Sequence, residues 1–261
     1  MSARTFTDMI GREITINYPP KRIVTLVPSQ TELLFDLGLE IEVVGITKFC
    51  VHPNEWFRNK KRVGGTKTLH LDIIRSLQPD LIIANKEENT KEQVEALAAE
   101  FPVWTSDIQT LDQALSMIAQ VGDIVGKGPE AATMVKEIRA GFAGLGNILK
   151  PKRVAYFIWR NPWMSVGGDT FISDMIETIG WTNVLADKQR YPEVALSELK
   201  DKALDTILLS SEPYPFKEVH IEEIRSTLPG VEVMLVDGEM FSWYGSRMGS
   251  AVNYFKLLTE K

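Results

Sequence analysis

A single cysteine, Cys50, is present among the 261 residues, so no disulfide can form within the chain. This suits a reducing compartment, and equally the exported proteins that do without disulfides. Histidine is almost as scarce. His52, His70 and His220 lie far apart, and no two have the close spacing of a helical or hairpin metal site. Long apolar runs are absent: the longest uncharged stretches, such as 140–149, are about ten residues, half of what a membrane-spanning helix needs. The opening MSARTFTD (1–8) lacks the apolar stretch of a signal peptide. Two readings follow: a chain that stays in the cytoplasm, or an exported one whose leader lies outside this sequence. Positive charge is in deficit, with 29 Lys and Arg against 35 Asp and Glu and a net charge of −6, which argues against a dedicated nucleic-acid binder. There is no P-loop, no GxGxxG after a strand, no GxSxG, no HExxH and no CxxC. The GKG at 126–128 is too short to cradle a phosphate. No catalytic residue and no metal-ligand set is assigned.

What remains is an ordinary globular mixture, 44% hydrophobic and 25% charged. A chain of this length buries almost three quarters of its surface, so its core needs no covalent or metal staple. Residues 12–18 alternate like a strand, and 22–27 form an apolar run of strand length. Ser29 and Glu32 have capping-box spacing ahead of an apolar stretch, 33–37, which Gly38 stops. A strand over 43–46 completes a strand–helix–strand unit suited to a parallel sheet. The pattern continues with helices over 71–77, 91–100 and 111–125, and strands over 81–84 and 103–104.

The second half echoes the first. Arg22-Ile23-Val24 resembles Arg153-Val154-Ala155, LDIIRSLQPDLIIA (71–84) resembles LSELKDKALDTILL (196–209) with Asp80 over Asp205, and VWTSD (103–107) resembles VMLVD (233–237). Between the halves, Ala131, Val135, Ile138, Phe142, Leu145 and Leu149 fall on one face of a helix over 129–149, with Pro129 in its first turn and Pro151 past its end. Such a helix is roughly 30 Å long. The fold expected is α/β, with two Rossmann-like lobes (1–126 and 151–261) joined by a single long backbone helix (127–150). The alternative is one larger domain with this helix in its core.

Aromatic residues collect just after predicted strands, where open parallel sheets bind their ligands. Phe49 follows the 43–46 strand. Trp159, Arg160 and Trp163 follow a strand over 154–158, Tyr214 and Phe216 one over 207–209, and Phe241, Trp243, Tyr244 and Arg247 one over 233–236. Loop tryptophans beside arginine and proline read as the lining of a cleft for a large, flat or amphipathic ligand. Their other reading is that they cap hydrophobic layers beneath the loops. Arg160 and Arg247 are suited to carboxylates or amide oxygens of a ligand. The run SVGGDTF (165–171) leads into a helix whose first N–H groups are placed to meet polar ligand groups. Cys50 and His52, two apart on an extended loop, point the same way and offer one soft and one borderline ligand; their alternative is a small buried cysteine and a loop histidine.

The opening DMIGREITINYPPKRIVTLVPSQTELLFDLGL (8–39), together with VGGTKTLHLDIIRSLQPDLIIANKEEN (63–89), resembles the solute-binding proteins of ABC importers for cobalamin, siderophores and haem. The resemblance covers nearly the whole chain. It implies a class III periplasmic binding protein fold, a non-catalytic role, and a ligand held between two lobes. The spacing through WRNPWMSVGGDTF (159–171) is closer to the cobalamin branch, whose cleft is lined with aromatics, and Phe49, Trp163, Tyr191, Phe241 and Trp243 fall on comparable loops. With Cys50, His52, Glu87, Trp159, Arg160, Tyr244 and Arg247 they make up the candidate ligand-binding set. The family docks on its permease through one acid on each lobe, and Asp72 and Glu198 stand at the matching places. The expectation is a monomeric periplasmic receptor for a cobalt corrinoid, with no cofactor of its own, an ABC permease as partner and no nucleic acid. A ferric siderophore or haem in the same fold, and a cytoplasmic enzyme handling a cofactor, are the alternatives.

Overall fold

The computed structural model describes residues 2–145 and 150–258. Packing divides the chain into two compact units. The first comprises Met1–Ile108, Asp112–Glu137 and Tyr244–Arg247; the second comprises Gln109–Leu111, Ile138–Trp243 and Met248–Lys261.

The first unit opens with an antiparallel hairpin of β1 (Ser2–Thr7) and β2 (Glu13–Tyr18). Its main sheet contains β3 (Ile23–Thr25), β4 (Val43–Ile46), β5 (Lys61–Arg62), β6 (Leu81–Asn85) and β7 (Val103–Ser106), in the order β5-β4-β3-β6-β7, all parallel. Every residue of β3, β6 and β7 is buried, as expected of strands covered on both faces. Helices α1 (Pro28–Asp36), α2 (Asn54–Asn59), α3 (Leu71–Leu77) and α4 (Lys91–Ala98) lie between the strands, and α5 (Leu111–Ile124) and α6 (Gly128–Ala143) follow them.

Two local expectations are corrected. Ser29 does not cap α1. The helix begins at Pro28, whose fixed φ suits the first turn, so Ser29 is already inside and Val27 stands at the cap without a side-chain bond. The helix expected over 129–149 ends at Ala143, about 24 Å long at 1.5 Å per residue rather than roughly 30 Å. Gly141 weakens its last turn and Gly144 follows its end, and residues 146–149 lie outside those described. The division between the units falls within α6, at Glu137 and Ile138.

The second unit contains β8 (Arg153–Trp159), β9 (Met164–Ser165), α7 (Phe171–Thr178), β10 (Thr182–Asn183), a 3-10 turn (Leu196–Leu199), β11 (Thr206–Ser210), α8 (Glu218–Thr227), β12 (Glu232–Val236), α9 (Gly238–Ser242) and α10 (Met248–Leu258). Its strands order as β10-β8-β11-β12, parallel, with the short β9 antiparallel to β8. One core cluster runs through Ala155, Phe157, Ile207, Leu209, Ile221, Ile224 and Val233. Gly141 lets the end of α6 approach α10: a Cβ there would stand 2.8 Å from a methyl of Val252.

The internal repeat is a physical one. Ile23 pairs with Leu81 and Ile82 with Val103 in the first sheet; Val154 pairs with Thr206 and Ile207 with Val233 in the second. The same staple locks both. Asp80 accepts from the Arg22 backbone N–H at 2.8 Å, and Asp205 from that of Arg153 at 2.7 Å. In return the Asp80 and Asp205 N–H groups donate to the Arg22 and Arg153 carbonyls, both at 2.9 Å. Each arginine side chain then caps carbonyls just before the next strand, Leu77 in the first unit and Lys202 and Ala203 in the second.

Candidate functional site

In open parallel sheets, loops at the carboxyl ends of the strands carry the ligand groups, and each unit has such an edge. In the first unit the edge is built on a buried polar network. Asn85, at the end of β6, accepts from the backbone N–H groups of Glu87 and Glu88, both at 2.9 Å, and Asn89 donates to the carbonyls of Leu26 and Thr66. The loops after β3, β5 and β6 are thereby tied together. Lys67 Nζ donates to the Glu87 carbonyl. Phe49, after β4, is 49% exposed, and its ring lies against Gly65, where a Cβ would come within 3.1 Å of it. Phe49 and Glu87 thus stand on loops that meet through residues 64–70.

Cys50 and His52 part company. Cys50 is fully buried, its sulfur within 3.0 Å of Thr31 Oγ1 and 3.2 Å of Thr47 Oγ1. Burial pushes its thiol pKa up, against the weaker pull of the threonine bonds. It is a core residue and an inert one. His52 is half-buried ahead of α2. Among the described residues, no group of three or more His, Cys, Asp or Glu is placed to hold a metal ion. Tyr244 is buried, and Arg247 forms a two-pronged bond with Glu32 of α1, Nε to Oε2 at 2.8 Å and Nη2 to Oε1 at 2.6 Å. That bond absorbs the glutamate that sequence spacing assigned to a capping box.

The edge of the second unit is aromatic. Trp159, at the end of β8, is 40% exposed and meets Tyr214 edge-on, ring centroids 5.5 Å apart. Trp163 sits deeper, stacked on Phe216 at 5.7 Å and 7°, with its edge on Phe157. Arg160 lies above the Trp163 ring and is engaged by Glu223, Nε to Oε2 at 2.8 Å and Nη2 to Oε1 at 2.9 Å. Tyr191 is half-buried beside Arg190, on a segment whose backbone bonds to 163–168.

Phe241 and Trp243 are drawn inward. Phe241 has no exposed surface and packs among Tyr156, Tyr254 and Phe255. Trp243 donates through Nε1 to Glu212 Oε1 at 3.0 Å, and Ser242 Oγ donates to the same oxygen at 2.9 Å. Burial raises the Glu212 carboxyl pKa above its ordinary range, Glu239 and Asp237 add to that, and the two donors oppose it. Gly238 makes this fit possible, since a Cβ there would stand 2.7 Å from Glu212 Cγ.

The run SVGGDTF leads into α7, as its pattern predicts. Thr170 Oγ1 accepts from the Ser173 N–H and so caps α7 from within. Gly167 and Gly168 serve a close approach: a Cβ on either would come within 2.5 Å of the Lys188 or Ala186 carbonyl oxygen. The two acids matched to permease docking differ in setting. Asp72 is 97% exposed and accepts from Arg75 at 2.9 Å, while Glu198, exposed on the 3-10 turn, accepts from the Ala195 N–H. Glu212, Tyr214 and His220 were outside the candidate set. The available signal was the aromatic run SEPYPF (211–216) just after a strand.

Two units, each built on a parallel sheet with helices between its strands, define an α/β fold, and solved structures place it more narrowly. A possible iron-binding periplasmic solute-binding protein from Staphylococcus epidermidis superposes with a TM-score of 0.79 at 20% identity, over 93% of this chain and 100% of that one. The vitamin B12-binding protein BtuF of Vibrio cholerae gives 0.75 at 22%, over 93% and 99%, and the haem-binding protein RhuT from Roseiflexus gives 0.76 at 21%, over 91% and 97%. At these identities the likeness is one of fold. The chain belongs to the periplasmic binding protein family, which it matches over residues 23–234. Among its relatives are an uncharacterised ABC transporter substrate-binding lipoprotein of Bacillus subtilis, YvrC, 28% identical over 77% of this chain and 68% of that protein, and the vitamin B12-binding protein of Vibrio parahaemolyticus, 26% identical over 74% and 72%.

Proposed function

We propose that this protein is the substrate-binding component of an ABC importer, working outside the cytoplasmic membrane as a monomer, and that its ligand is a corrinoid. Membership of the family supports the first part and runs against the enzyme reading. The observation that carries the choice of ligand is the chemistry of the two carboxyl edges. Each edge exposes one large aromatic group, Phe49 in the first unit and Trp159 in the second, and the arginine forks of Arg160 and Arg247 are engaged by Glu223 and Glu32. Such edges suit a ligand that is flat, largely apolar and rimmed by neutral amides better than one carrying free carboxylates. The relative in Vibrio parahaemolyticus named for vitamin B12 binding supports the same choice. Asp72 and Glu198, each exposed on its own unit, are the acids proposed to meet basic groups of the permease.

The test is a titration of purified protein with cyanocobalamin, following tryptophan fluorescence and the visible corrin spectrum, with haemin and a ferric hydroxamate siderophore in parallel. One-to-one saturable binding of the corrinoid alone is the expected result. Saturation by haemin or the siderophore with no corrinoid binding would move the function to that ligand within the same family.

A further inference from the structure

The chain after β11 carries a hydrogen-bonded pair of side chains, Tyr214 on the loop and His220 in the first turn of α8. The Lys217 backbone N–H donates to His220 Nδ1 at 2.8 Å. An imidazole nitrogen that accepts a hydrogen bond holds no proton, so the neutral ring bears its hydrogen on Nε2. Nε2 stands 3.2 Å from Tyr214 Oη. The phenolic oxygen is therefore the acceptor of this bond, and its own hydrogen must point away from the histidine. His220 is buried and packs edge-on against Tyr214 and Phe216, both at 5.4 Å. Turning to the other tautomer would cost it the Lys217 bond. Tyr214 is half-buried, and its ring meets the exposed Trp159. A phenol donor with a preset direction therefore sits beside a solvent-reachable indole.

We infer that Tyr214 is a hydrogen-bond donor to a carbonyl oxygen on the rim of the bound ligand, and that His220 is its positioning residue. The inference rests on the reading of this sheet edge as a ligand site. A phenol O–H is a neutral donor, and a neutral amide carbonyl is a matching acceptor. The preset direction matters because a hydroxyl already held by one partner loses less rotational freedom on binding another.

Three measurements test it. In ligand-free protein, 15N spectra of the histidines should show His220 protonated on Nε2 and bare on Nδ1; a proton on Nδ1 overturns the inference. Cyanocobalamin affinity should fall about five- to tenfold in Tyr214→Phe, the loss of one hydrogen bond that leaves a ligand carbonyl unsatisfied. His220→Asn keeps an acceptor for the Lys217 N–H, and its shorter side chain leaves no donor at the position of Nε2. It should weaken binding less than Tyr214→Phe does, and should cost nothing further in the Tyr214→Phe background. An equal loss in both backgrounds shows that His220 acts elsewhere and overturns its positioning role. Unchanged affinity in a folded Tyr214→Phe protein overturns the donor role while leaving corrinoid binding intact. Wild-type protein that binds neither cyanocobalamin, haemin nor the hydroxamate overturns the functional reading and the role of Tyr214 with it. If haemin binds and the tyrosinate-to-iron absorption band disappears in Tyr214→Phe, Tyr214 is a metal ligand rather than a donor.

Discussion

Several residues that pattern alone places in a ligand cleft are claimed by the interior. Trp163 stacks on Phe216 and Trp243 is tied to Glu212, so replacing either by alanine is expected to cost about 3 kcal/mol of stability, read by chemical denaturation. Trp159 has far less to lose. Trp159→Ala should leave the melting temperature within a few degrees of wild type while weakening corrinoid binding at least tenfold, on the order of one hot-spot aromatic. A melting loss as large as that of Trp163→Ala would make Trp159 a structural residue instead. Glu212 gives a pH signature. Its folded-state pKa lies above the unfolded value near 4.5, so the folded protein binds the extra proton in the window between them and loses stability as pH rises through that window. Glu212→Gln keeps an acceptor for Ser242 and Trp243 without the charge. It should raise the melting temperature at pH 8, with the gain shrinking as the pH falls toward the ordinary carboxylate range. A gain that grows on acidification would reverse the sign assigned here.

Secondary-structure elements were the most legible level, because their signals are local. The helix over 71–77 and the strand over 43–46 stand where hydrophobic periodicity puts them. The repeat was legible for the same reason. Arg22, Asp80 and Asp205 each stand one residue ahead of a strand and Arg153 opens its own, so the register is written into the chain. Asp80→Ala and Asp205→Ala should each destabilise the unit that holds them by about 1–2 kcal/mol, the price of two backbone N–H groups or one losing a charged acceptor. Denaturation curves of the two variants check this, and a null effect in both would reduce the repeat to a coincidence of sequence. What local signals could not supply is the purpose of glycines. Gly167 and Gly168 look like a helix-terminus loop in sequence, yet they admit the backbone of residues 186–189. Gly168→Ala is expected to cost more than 2 kcal/mol, since a Cβ against a carbonyl oxygen forces the backbone apart.

At the scale of the whole molecule, two acids far apart in sequence are proposed to share one task. Asp72 is exposed beside Arg75, and Glu198 is exposed on the 3-10 turn. Neither belongs to the aromatic edge. Reversing both charges, Asp72→Lys with Glu198→Lys, should leave cyanocobalamin affinity unchanged and abolish transport in a reconstituted importer, through like-charge repulsion at the contact. Transport at the wild-type rate would dismiss both as docking residues. Bound ligand should also raise the melting temperature with concentration, because whatever binds only the folded state stabilises it.

By itself the sequence determined the α/β class, the repeat, the strands and most helices, and the family, because each follows from patterns a few residues long or from motifs kept in order along the chain. Tertiary structure decided which candidate side chains remain available to a ligand. The partners that claim Arg247, Arg160 and Trp243 are Glu32, Glu223 and Glu212, which lie 215, 63 and 31 residues away. Pairings over such distances leave no periodic trace, since only the folded chain brings a buried charge to the partner that compensates it.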